Sequence, residues 1–156
     1  MIGWLLDTNV VASLIAVGGA PSVKAWAAAQ DENRLFLSIL TLGEIEKSIH
    51  NLPDDDPSRT RYLLSLALLE DRFRGRILSV GDPVVRRWGR LSGAIKRSSG
   101  IAPSVVDTLL AATALEHDLH LVTRNVRDVI GSGASVFNPW TDKANDFHLA
   151  PAPRGR

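Results

Sequence analysis

Short apolar runs and longer amphipathic stretches alternate along the chain. The runs Ile2–Leu6, Leu35–Leu37, Ile77–Val80, Leu119–Val122 and Ser135–Phe137 are continuous rather than alternating in polarity. That pattern predicts parallel strands covered on both faces, because both sides of each strand must then be apolar. Helices are expected over Val10–Val17, Val23–Ala29, Thr41–Leu52, Ser58–Phe73, Pro83–Arg97 and Val105–His117. Leu42, Ile45, Ile49 and Leu52 form one helical stripe, and Val84, Trp88, Leu91 and Ile95 form another. Val105–His117 is apolar almost all round, which predicts a buried helix, and Pro53–Pro57 reads as an acidic loop. Strands alternating with helices indicate an α/β sandwich around a parallel sheet. After Trp140 the chain turns polar and proline-rich, so the expectation is one domain over 1–140 and a tail over 141–156.

Composition narrows the chemistry. A chain of 156 residues suits one domain with its own core. It has no cysteine, which excludes disulfides, thiolate zinc sites and a cysteine nucleophile. The apolar start carries no Lys or Arg before Lys24 and is interrupted by Asp7 and Asn9, unlike a secretory signal. No stretch suits a membrane span, and the expected compartment is the cytoplasm.

The position of certain acids carries more information. Asp7 ends the first apolar run, and Glu44 falls at the start of the helix after the second. Asp107 opens the buried helix, while Asn125 and Asp128 follow the fourth run. In a parallel sheet, strand ends and the following helix starts share one edge, where ligands bind. Each residue also has a plain structural reading. Thr41-x-x-Glu44 matches a capping box, Ser104-x-x-Asp107 approximates one, and Asp7 could cap the helix near Val10. Taken together, clustered and partly desolvated carboxylates repel one another unless a cation neutralises them. Hard oxygen donors without His or Cys suit Mg²⁺ or Mn²⁺ better than zinc.

The segments Leu5-Leu6-Asp7-Thr8-Asn9-Val10, Ser38 to Ile45, Asp107 to Ala114 and Leu121 to Asp128, with a closing Asn138-Pro139-Trp140, resemble a PIN-domain ribonuclease. The likeness is closer to the VapC/FitB branch of type II toxins and runs from Met1 to Trp140. It implies a PIN-like α/β/α sandwich with a mostly parallel sheet of four to five strands. It implies metal-assisted hydrolysis of RNA phosphodiesters, with Mg²⁺ or Mn²⁺ as cofactor. Asp7, Glu44 and Asp107 match the family's acids, with Asp7 and Asp107 as metal ligands and Glu44 holding a water or acting as base. The position of the fourth acid carries Asn125, with Asp128 three residues on. Thr8, Asn9 and Thr123 are candidates to orient the carboxylates, although Thr8 and Asn9 serve equally as capping residues. The implied partners are an RNA substrate, a cognate antitoxin, and a second copy in a homodimer or hetero-oligomer. Apolar surfaces on Val10–Val17 and Leu63–Leu69 could make such contacts, or could belong to the core. A catalytically silent PIN-like module that binds RNA, or DNA through its antitoxin, is the alternative. A haloacid-dehalogenase-like phosphatase would need a second Asp where Asn9 stands.

The formal net charge of +1 hides an uneven distribution. Residues 59–97 hold ten basic and three acidic side chains, a net +7, against −6 elsewhere. Arg86, Arg90 and Arg97 share a helix face opposite the Val84/Trp88 stripe and are candidates to track RNA phosphates. His117 and His120 could suggest a metal pair, but a helix end and a short strand explain them as well.

Overall fold

The computed structural model describes residues 3–143 and 148–149. Parts of the expected first strand and of the tail therefore lie outside the described residues. The strands are β1 (Gly3–Leu6), β2 (Leu35–Ser38), β3 (Ile77–Leu78), β4 (Leu119–Val122), β5 (Ser135–Phe137) and β6 (His148–Leu149). The helices are α1 (Thr8–Ile15), α2 (Pro21–Ala28), α3 (Ile39–His50), α4 (Ser58–Arg72), α5 (Asp82–Ser99), α6 (Val105–Glu116) and the single turn α7 (Val126–Val129).

The sheet order is β3-β2-β1-β4-β5-β6. Every neighbouring pair from β3 to β5 is parallel, so the expected parallel core is present. The tail adds one feature that a polar, proline-rich sequence does not announce. His148–Leu149 pairs antiparallel with β5, Ser135 facing Leu149. Two residues are too short for a hydropathy signal, yet they satisfy backbone groups on an otherwise open edge. At the other end of β1, a Cβ on Gly3 would lie 2.4 Å from the Arg34 carbonyl oxygen, so close strand approach requires glycine there.

Successive strand residues face opposite layers. Leu6, Leu37, Val122 and Phe137 pack against α1–α4 with Val10, Val11, Leu42, Leu66 and Leu69. Leu5, Leu121 and Val136 pack on the other side against Leu110, Ala111 and Ala114 of α6. The chain therefore has two cores separated by the sheet, as the unbroken apolar runs require. Residues of α6 from Leu110 to Ala114 are buried, matching its uniform apolarity. The positively charged helix α5 packs mainly against α6 and leaves Arg86, Arg90 and Arg97 exposed. No helix among the described residues is long and apolar enough to cross a membrane.

Candidate active site

The C-terminal ends of β1, β2 and β4 form one edge of the parallel sheet. Asp7 follows β1 directly, and its backbone N–H donates to the Val122 carbonyl at 2.9 Å. Asp7 is only 5% exposed. One carboxylate oxygen accepts from the Thr8 backbone N–H at 2.6 Å, which starts α1 two residues before the expected Val10. The other accepts from Thr123 Oγ1 at 2.6 Å and from Asn9 Nδ2 at 3.2 Å. The capping and site readings of Asp7 are thus compatible: one oxygen caps the helix while the other is held by two side-chain donors. Asn9 also accepts from the Arg124 backbone N–H at 3.2 Å, tying the loops after β1 and β4 together. Because Asn9 donates to Asp7, it does not serve as the second acid that the phosphatase reading needs.

The expected capping box at Thr41 is not formed. Helix α3 starts at Ile39, capped by the buried Ser38, whose hydroxyl accepts from the Leu40 N–H at 3.1 Å. Glu44 therefore lies in the second turn rather than the first. Serine immediately after β2 was the available signal for this earlier start. Thr8 Oγ1 donates to Glu44 Oε1 at 2.6 Å and lies 3.4 Å from the Thr41 hydroxyl. Thr8 consequently orients Glu44, while Asn9 and Thr123 orient Asp7. Thr41, fully buried, is the residue that the sequence pattern assigned only to capping.

Asp107 sits in the first turn of α6, where Ser104 caps through a long bond of 3.5 Å from the Asp107 N–H. Burial raises the Asp7 carboxyl above its usual range. The Thr123 and Thr8 hydrogen bonds oppose that rise, while the negative charges of Asp107 and Glu44 reinforce it. Asp107 is also raised, first by desolvation and then by the charges of Asp128 and Glu44, against a lowering bond from Ser104. Four acids from four segments thus share one field. Asp128 joins that field through its charge, whereas Asn125 contributes a backbone N–H to Thr123 Oγ1 at 3.0 Å.

Among the described residues no three His, Asp or Glu side chains already form a metal-holding group. The donor set nevertheless fits a hard divalent cation in chemical type. Burial raises Asp7 and Asp107 and the neighbouring negative charges add to it; a cation would offset both effects. His120 lies apart from this site, with its Nδ1 2.6 Å from Ser135 Oγ and its ring against Trp4. Of the expected phosphate-binding arginines, Arg86 is engaged by Asp82 within its own helix.

The PIN domain family model matches residues 4–127. The chain is 28% identical to toxin FitB of Neisseria gonorrhoeae over 138 residues, covering 88% of this chain and 99% of that protein. It is also 28% identical to VapC ribonuclease Y4jK of Sinorhizobium fredii, covering 87% and 96% respectively. The solved structure of FitAcB from Neisseria gonorrhoeae superposes with a TM-score of 0.79 at 27% identity, covering 88% of this chain and 98% of that one.

Proposed function

Because the chain belongs to the PIN domain family, we propose that it is a metal-dependent endoribonuclease, the toxin of a toxin–antitoxin pair. The observation that carries this reading is that Thr8 binds Asp7 through its N–H and Glu44 through its hydroxyl, with Asp107 close enough to both for its charge to act on Asp7. Relatives named as a toxin and as a ribonuclease support it over a silent module. Asp7 and Asp107 would hold Mg²⁺ or Mn²⁺, and Asp128 rather than Asn125 supplies the further negative charge. A divalent ion held there would make a bound water more acidic and offset charge on the phosphate.

The protein's own residues prepare that chemistry. Thr123 and Asn9 fix one oxygen of Asp7, and the Thr8 backbone fixes the other, so the carboxylate has a single orientation. Glu44, aimed by the Thr8 hydroxyl, keeps a carboxylate oxygen available to take a proton from the attacking water. The partners in this reading are RNA, an antitoxin protein and a second copy of the chain, and the compartment is the cytoplasm. A groove of about 640 Å³, lined by Thr8, Ala12, Ile15, Ile45 and Tyr62, supports a protein partner docking next to the acids. Ile15, Leu64 and Leu68 remain exposed on the same helices, although Val10, Val11, Leu66 and Leu69 are core residues.

The test is cleavage of total cellular RNA by the purified chain with Mg²⁺, Mn²⁺ or EDTA, alongside Asp7→Asn and Asp107→Asn. Cleavage that needs the ion and falls at least roughly 100-fold in both variants is expected. Full activity in EDTA, or in either folded variant, would sink the proposal.

A further inference from the structure

Two features remain outside the acid site: Arg124 and the Asn138-Pro139-Trp140 turn. Arg124 lies between Thr123, which bonds Asp7, and Asn125, whose N–H returns to Thr123. Its own backbone N–H is bonded to Asn9. The backbone of Arg124 is therefore as firmly placed relative to Asp7 as the acid-orienting residues are. Its side chain is exposed and lies over the Trp140 ring, with Cζ 5.1 Å from the centroid. Arg59, Arg72, Arg74, Arg76, Arg86 and Arg87 each reach a carboxylate. Among the described residues Arg124, like Arg61, Arg90, Arg97 and Arg127, reaches none, and its side-chain contact is the Trp140 ring.

The turn that presents this ring is built for rigidity. Asn138 is buried at 9% exposure, and its Oδ1 accepts from the Trp140 N–H at 3.0 Å. The Asn138 N–H donates to Asp142 Oδ2 at 2.8 Å, and the Asp142 N–H returns to the Asn138 carbonyl at 2.8 Å. Pro139 is buried between them, and Trp140 packs its inner side on the core beneath β5. A guanidinium resting on an indole keeps its charge and its in-plane N–H donors, while its rotamers are restricted in advance. Such a fork matches phosphate oxygens, whereas a flexible lysine would offer only a point charge.

We propose that Arg124, held on Trp140, binds a phosphate of single-stranded RNA next to the one cleaved. Trp140 acts as a positioning residue. This inference rests on the ribonuclease reading for its substrate, but binding can be tested separately from cleavage.

The experiment measures affinity for a labelled, mixed-sequence single-stranded RNA 20-mer, across a salt series, in an Asp7→Asn background that stops hydrolysis. Arg124→Ala should weaken binding about 10-fold. It should also reduce the slope of log K against log salt by about 0.7, the loss of one phosphate contact. Arg124→Lys should recover only part of the affinity. Trp140→Leu should weaken binding while leaving the salt slope intact, and Trp140→Phe should restore it. Unchanged affinity and slope in Arg124→Ala would overturn the proposal, as would wild-type-like binding by Arg124→Lys and Trp140→Leu together. RNA binding that depends on Arg124 without any cleavage by the wild type would instead overturn the ribonuclease reading alone.

Discussion

Thr123→Val isolates the hydroxyl that secures Asp7. Threonine and valine have the same branched shape, and position 123 is fully buried, so the substitution leaves no cavity. It removes a 2.6 Å bond to the Asp7 carboxylate and the acceptor for the Asn125 N–H at 3.0 Å. Hydrogen bonds to a charged group contribute about 1.5–3 kcal/mol. Asn125 is exposed, so water can replace its lost acceptor at little cost. The expected loss of stability is therefore about 2 kcal/mol, a fall in Tm of about 4–8 °C for a chain of this size. Urea unfolding at neutral pH should show a lower midpoint with an unchanged slope. Affinity for Mg²⁺ should fall by roughly 10–100-fold, because Asp7 loses its orienting donor and its carboxyl rises further. Thr123→Ser should retain most of both properties. A Thr123→Val protein within about 0.5 kcal/mol of wild type, with unchanged metal affinity, would refute the assigned role of this hydroxyl.

Three further outcomes are expected. Adding Mg²⁺ at about 100 times its Kd should stabilise the wild type by about 2.7 kcal/mol, and Asp7→Asn or Asp107→Asn should lose this thermal shift while remaining folded; an equal shift in both variants would place the ion elsewhere. Thr8→Val should lower kcat by roughly 10–100-fold with little change in unfolding midpoint, because its hydroxyl aims Glu44 rather than the core; unchanged kcat would remove Glu44 from the proposed proton transfer. His120 is held below its ordinary value of 6.5, chiefly by burial. Below about that pH the unfolded chain takes a proton that the folded one resists, so stability should fall on acidification until the folded pKa is passed. Denaturant midpoints for His120→Phe should fall less over this range, whereas an identical pH profile would contradict the burial effect.

Much of the fold was legible because burial on both faces leaves a direct mark. Leu5 and Leu6 are adjacent yet face different cores, and only a strand buried on both sides needs both to be apolar. The placement of Asp7 and Asp107 at one sheet edge is legible for a related reason: each follows or opens a strongly apolar segment. The start of α3 was misplaced because Thr41-x-x-Glu44 imitates a capping box that Ser38 in fact makes redundant. The partnership of Thr8 with Glu44, 36 positions apart, exists only once α1 and α3 pack. Strand β6 was hidden by its length, since pairing with β5 rather than hydropathy defines it. The cation–π contact of Arg124 with Trp140 likewise depends on two loops meeting after their strands have paired.

In the proposed site Asp7 and Asp107 hold a divalent cation, with Glu44 and Asp128 close by. Anomalous diffraction from Mn²⁺-soaked crystals of the full chain tests it most directly. A Mn²⁺ peak bonded to carboxylate oxygens of Asp7 and Asp107, lost in Asp7→Asn, is expected. A fully occupied Mn²⁺ bound elsewhere, with none between these two carboxylates, would contradict it.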